Sequence, residues 1–147
     1  MIGCIQRYVD NLRPVESSDT AAEENSLLSK KILVVEDQID TRESLSLLLT
    51  LTGFDVTTAE NGQQALHTLQ SFQPDLIITD IGMPYLNGIN LMQRIREQMR
   101  FKALPIIAMT GYRSLKQMAD EAGANETLIK PTDFDELILI INRLLAL

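Results

Sequence analysis

A single cysteine, Cys4, is all the thiol this chain carries. No disulfide can close within it, and a reducing cytoplasm is the expected compartment. No apolar run approaches the roughly 20 residues that a bilayer-crossing helix needs. The N-terminus lacks the charged-then-apolar order of a secretory signal, and residue 2 is Ile2 where myristoylation would need glycine. No basic cluster is present either. The formal net charge of −7 repels a phosphate backbone and argues against direct contact with DNA or RNA. The one histidine, His67, falls on a polar helix face, where solvation is the expected role.

What is there suits one globular domain. The 147 residues are 45% hydrophobic and 22% charged, enough to bury a full core. A boundary falls near residue 30. Pro14 to Asn25 (PVESSDTAAEEN) offers almost nothing to bury and reads as a linker. Before it, Ile2, Ile5, Val9 and Leu12 recur at helical spacing. That is two or three turns, a frayed tail or a small docking helix. Residues 1–30 are thus expected to be an extension, and 31–147 the folded domain.

From Lys31 the pattern becomes regular. Lys31–Val35 (KILVV), Asp55–Ala59, Leu76–Thr79 (LIIT), Pro105–Met109 (PIIAM) and Glu126–Ile129 read as five short strands. Between and after them, Thr41–Leu51, Gly62–Phe72, Asn87–Met99, Ser114–Ala122 and Asp133–Leu145 carry helical periodicity. Gly53 and Gly123 are placed to end two of those helices. Strict β-α alternation predicts an α/β fold with a doubly wound, five-stranded parallel sheet and helices on both faces. This is the flavodoxin-like layout, with strand order 2-1-3-4-5. Function in such sheets sits at the carboxyl ends of the strands.

Those ends hold Glu36 and Asp37 after strand 1, Asp80 after strand 3, Thr110 after strand 4 and Lys130 after strand 5. A bound nucleotide or flavin phosphate would want a glycine-, serine- or threonine-rich loop after strand 1. Two carboxylates stand there instead and would repel it. Three clustered carboxylates also repel one another unless a cation intervenes, and hydrated oxygen ligands suit Mg²⁺. Each residue alone has a plainer reading, as a solvated loop carboxylate, an ordinary hydroxyl or a surface lysine. Together they point to a metal-dependent site for a phosphoryl group.

VVED (Val34–Asp37), TDIGMPYLNG (Thr79–Gly88), MTG (Met109–Gly111) and KP (Lys130–Pro131) together resemble the motif set of response regulator receiver domains, in order and over about residues 31–147. The resemblance implies that Asp80 is the phosphoacceptor of a two-component or phosphorelay system. It implies that Asp37 ligates Mg²⁺, with Glu36 reaching the ion through water and the Gly82 carbonyl adding a ligand. Thr110 would hydrogen-bond the phosphoryl group and Lys130 would pair with its charge. Receivers sharing the Lys-Pro pair hold that bond cis, so a cis Lys130–Pro131 peptide is expected. Such a protein catalyses only its own phosphorylation and dephosphorylation, and signals by binding a downstream protein. With no second histidine in the chain, the donor is a separate histidine kinase or histidine phosphotransfer protein.

The chain departs from the pattern at strand 5. Thr127 stands where receivers usually carry Tyr or Phe, whose ring reorients on activation. That leaves two routes open, coupling through Tyr112 or weak coupling. The sequence outside the five units is too short for an output domain, so a single-domain regulator or relay shuttle is expected. The alternative within this fold is a docking module that ignores phosphorylation. An Asp-nucleophile phosphohydrolase of the haloacid dehalogenase type would want a second Asp where Gly82 stands. On helical wheels, Phe134, Leu137, Ile138, Ile141, Leu144 and Leu145 face inward from the last helix, and Leu45, Leu48 and Leu49 from the first. Leu47, Leu51, Leu139, Ile140 and Leu147 are left facing outward, as a surface for the donor or for a homodimer.

Overall fold

The computed structural model describes residues 29–147 apart from Pro84. The helical spacing of Ile2 to Leu12 and the linker after it lie outside the described residues. Five strands form one sheet in the order β2-β1-β3-β4-β5, and every pairing is parallel. They are β1 (Lys31–Val35), β2 (Asp55–Ala59), β3 (Leu76–Asp80), β4 (Ile106–Thr110) and β5 (Glu126–Ile129). The helices between and after them are α1 (Ile39–Leu51), α2 (Gly62–Thr68), α3 (Gly88–Glu97), α4 (Lys116–Ala122) and α5 (Phe134–Leu145).

The unbroken apolar runs make sense because β1 and β3 are covered on both faces. Alternate side chains enter two separate cores. Leu33, Val35, Ile77, Ile106 and Ala108 pack with Ala65, Leu91, Met92 and Ile95 from α2 and α3. Ile32, Val34, Ile78 and Ile107 pack with Leu48 and Leu49 of α1 and with Phe134, Leu137 and Ile141 of α5. Helices α1 and α5 therefore share one face of the sheet, and α2, α3 and α4 the other.

Several helix ends differ from the sequence reading. Helix α1 starts at Ile39, two residues earlier than the periodicity suggests. Helix α2 stops at Thr68 because Gln70 and Ser71 bond three residues back, to His67 and Thr68, tightening the last turn. Helix α3 stops at Glu97 and a 3₁₀ turn follows at Met99–Phe101. Another 3₁₀ turn, Arg113–Leu115, precedes α4. Gly53 and Gly123 both take positive φ (108° and 115°) just past their helices, the left-handed conformation that glycine tolerates best.

On α5 the wheel was misplaced at one residue. Ile140 is core, 9% exposed, not outward-facing. It lies three residues beyond Leu137 and next to Ile141, so it joins their stripe. Among the described residues the exposed leucines are Leu139 at 70%, Leu147 at 65% and Leu47 at 48%, while Leu51 is half-buried. Among the described residues no helix is long and apolar enough to cross a membrane.

Candidate functional site

Parallel register carries the strand ends to one edge. Val35 pairs with Thr79, Asp80 with Met109 and Thr110 with Ile129, so the residues that follow emerge side by side. Glu36 continues β1 by donating its N–H to the Ala59 carbonyl at 3.1 Å. Its side chain turns inward, leaving the residue 4% exposed. Asp80 is the last residue of β3 and is 9% exposed. Carboxylate oxygens of Glu36, Asp37 and Asp80 lie within 4.8 Å of one another. Lys130, just past β5, donates its backbone N–H to the Thr110 carbonyl at 2.7 Å. Its Nζ stands 3.2 Å from Asp80 Oδ1 and 3.3 Å from Glu36 Oε2. The Lys130–Pro131 peptide is cis.

The electrostatics follow from three acids facing one ammonium. Burial, reinforced by the neighbouring Asp80 charge, raises the pKa of Glu36 although Lys130 opposes it. Burial disfavours the Lys130 cation as well. The Asp80 and Glu36 carboxylates outweigh that, and the lysine pKa is raised. One ammonium leaves the cluster short of positive charge. Oxygen donors at this spacing, partly buried, fit a hard divalent cation such as Mg²⁺.

The backbone is shaped around Asp80. Gly88 opens α3 and donates its N–H to the Ile81 carbonyl at 3.0 Å. A Cβ at Gly88 would sit 2.3 Å from the Asp80 carbonyl oxygen and 2.8 Å from Ile81 Cα, so only glycine lets α3 start this close. In the sequence Gly88 stands out only as the last residue of the TDIGMPYLNG motif. Asn87 caps the helix by accepting from the Asn90 N–H. Gly82 is exposed, with nothing within 4 Å of where a Cβ would stand, and its backbone is open to solvent.

The remaining candidates divide. Thr110 is 2% exposed and its Oγ1 accepts the Tyr112 N–H at 3.1 Å. Tyr112 itself is 71% exposed, and Pro131 is exposed beside Lys130. Thr127 is buried and donates its hydroxyl to Asp120 Oδ1 on α4 at 2.8 Å, and Lys116 Nζ holds the other Asp120 oxygen. Those two partners lower the Asp120 pKa. Thr127 is therefore tied to a helix where an aromatic ring would be free to swing. The sequence marks Thr127 only as a departure from the receiver pattern; its partner seven residues upstream leaves no sequence signal. His67 is exposed on α2.

Known proteins agree on the family. Residues 32–142 match the model of the response regulator receiver domain. An uncharacterized 14.6 kDa protein of Leptolyngbya boryana is 38% identical over 120 residues, covering 80% of this chain and 92% of that protein. Regulatory protein AtoC of Escherichia coli is 37% identical over 119 residues, which is 80% of this chain but only 25% of AtoC. The likeness to AtoC thus concerns one part of a longer protein. Among solved structures, response regulator TrrA of Thermotoga maritima, in complex with Mg²⁺-BeF, superposes with a TM-score of 0.72. It is 37% identical, with 78% of this chain and 98% of that one covered. With five parallel strands in the order 2-1-3-4-5 and this match over most of its length, the chain belongs to the response regulator receiver domain family.

Proposed function

We propose that Asp80 is the phosphoacceptor of a two-component or phosphorelay system and that its phosphorylation depends on Mg²⁺. The observation that supports this best is Lys130 Nζ set between Asp80 and Glu36 within a cluster of three carboxylates. In the forward step an Asp80 carboxylate oxygen attacks the phosphorus of the donor. A new O–P bond forms as the P–N bond of a phosphohistidine breaks, and the leaving imidazole keeps the electron pair. In dephosphorylation water attacks the same phosphorus, a new O–P bond forms as the O–P bond to Asp80 breaks, and the carboxylate leaves with its electron pair while inorganic phosphate departs. Asp37 and Glu36, the latter through water, together with Asp80 and the Gly82 carbonyl, would hold the ion. Bound there, Mg²⁺ supplies neutralisation of the phosphoryl charge. Lys130 pairs with the phosphoryl oxygens once it lets go of Glu36, and Thr110 offers its hydroxyl to them.

The donor in this reading is a histidine kinase or histidine phosphotransfer protein, and the output is binding of a downstream protein, with no direct contact to nucleic acid. Catalysis is confined to the chain's own phosphorylation and dephosphorylation, in the cytoplasm. Residues 31–147 act as the receiver and residues 1–30 as an extension. The donor docks over the exposed side of α1 at Leu47, with Leu139 of α5 adding to that surface or to a homodimer. Labelling with acetyl phosphate tests the chemistry. A hydroxylamine-sensitive label that requires Mg²⁺ and is absent from Asp80→Asn is expected. No label on the wild-type chain would instead favour a docking module that works without phosphorylation.

A further inference from the structure

We infer that Arg42 is a positioning residue for the Mg²⁺ site, acting through the backbone that carries two of its carboxylates. This rests on the reading of Glu36, Asp37 and Asp80 as that site. The segment between β1 and α1 carries Glu36 and Asp37 on a short stretch of irregular backbone. Gln38, at the start of α1, makes no side-chain capping bond; the Glu36 N–H on the Ala59 carbonyl at 3.1 Å and the Gln38 N–H on Glu36 Oε1 at 3.3 Å hold N–H groups of this segment, not its carbonyls. Arg42, one turn into α1, supplies what is missing. Its Nη1 donates to the Glu36 carbonyl at 3.0 Å and approaches the Asp37 carbonyl at 3.5 Å. Its Nη2 stands 3.8 Å from Glu60 Oε1, and its side chain is only 12% exposed. A planar guanidinium can serve both carbonyls at once. Because the direction of each carboxylate is set by its own backbone, fixing those two peptides fixes the aim of Glu36 and Asp37.

Charge and positioning pull in opposite directions here, and that makes the inference decidable. As a bare positive charge beside a cation site, Arg42 would oppose Mg²⁺, so deleting it would tighten binding. As a positioning residue it favours Mg²⁺, so deleting it weakens binding. Support lost behind metal ligands costs about 10–100-fold in affinity, and support through the backbone belongs at the low end, about tenfold.

The test is calorimetric Mg²⁺ titration of the full chain as wild type, Arg42→Met and Arg42→Lys, with urea unfolding of each in EDTA. Met keeps the aliphatic stem but no charge or donor, and Lys keeps the charge but not the fork. The expected result is about tenfold weaker Mg²⁺ binding in Arg42→Met, with a smaller loss in Arg42→Lys. Amide hydrogen exchange at residues 36–38 should be faster in both variants. Unchanged or tighter binding by folded Arg42→Met would overturn the inference even if the variant unfolded at lower urea. Should Arg42→Met fail to fold, full wild-type affinity in Arg42→Lys would overturn it in the same way. No Mg²⁺ binding by the wild-type chain would instead refute the reading of the site, and this inference with it.

Discussion

Replacing Gly88 by alanine places one methyl group where the Asp80 carbonyl oxygen is 2.3 Å away. Ordinary contact for a Cβ begins at 3.4 Å, so α3 and the end of β3 must separate by about 1.1 Å, the difference between those distances. Neither neighbour is a side chain that can swing aside. The atoms met are the Asp80 carbonyl and Ile81 Cα, both backbone at the end of a central strand. Overpacking of this kind costs about 1–3 kcal/mol, and rigid backbone puts it toward the top of that range. Alanine regains up to about 1 kcal/mol of helix propensity over glycine. The net for Gly88→Ala is then a destabilisation of roughly 1–2 kcal/mol, read as a lower urea midpoint with an unchanged slope. The chemistry should suffer more than the fold. A displacement of about 1 Å at a reacting group can cost about a hundredfold, so labelling by acetyl phosphate should slow by one to two orders of magnitude. A Gly88→Ala chain that unfolds at the wild-type urea concentration and labels at the wild-type rate would refute the claim that α3 sets the place of Asp80.

Three further outcomes follow from the same geometry. Glu36 has its folded pKa raised above the ordinary 4.5, so its charged form costs stability in the metal-free protein. That cost is relieved as pH falls from neutral through the raised value. Glu36→Gln should raise the urea midpoint at pH 7 in EDTA, flatten its pH dependence and weaken Mg²⁺ binding; a lower midpoint would contradict the assigned strain. Asp37→Ala should weaken Mg²⁺ at least tenfold, about 1.4 kcal/mol, and an unchanged titration would remove Asp37 from the site. Changing Leu47 and Leu139 together to Glu should slow phosphotransfer from the protein donor yet spare labelling by acetyl phosphate. Equal loss with both donors, or no loss with either, would count against docking there.

Strands were legible because a parallel sheet covered on both sides demands unbroken apolar runs, and KILVV and LIIT are such runs. The acids, Thr110 and Lys130 were legible because the same topology must deliver strand ends to one edge. Helix ends were less so. Whether the chain continues as α-helix or tightens into a 3₁₀ turn, as after Glu97 and before Lys116, depends on packing that periodicity does not encode. Ile140 was misjudged because the width of the buried stripe on α5 is set by α1 and the sheet beside it, not by the helix alone. Contacts between side chains and distant backbone were invisible. Arg96 is the plainest case. It donates to the carbonyls of Phe101, Lys102, Leu104 and Gly123 and to Asn125 Oδ1, and no spacing in the sequence announces that set.

The central claim is that Asp80, and no other carboxylate of the cluster, carries the phosphoryl group. Treating the chain with acetyl phosphate and Mg²⁺, trapping the acyl phosphate with borohydride and sequencing the peptides by mass spectrometry tests it directly. Reduction at Asp80 alone, lost when EDTA replaces Mg²⁺, is the predicted result. Reduction at Glu36 or Asp37, or an Asp80 peptide left unreduced while the chain carries label, would contradict it.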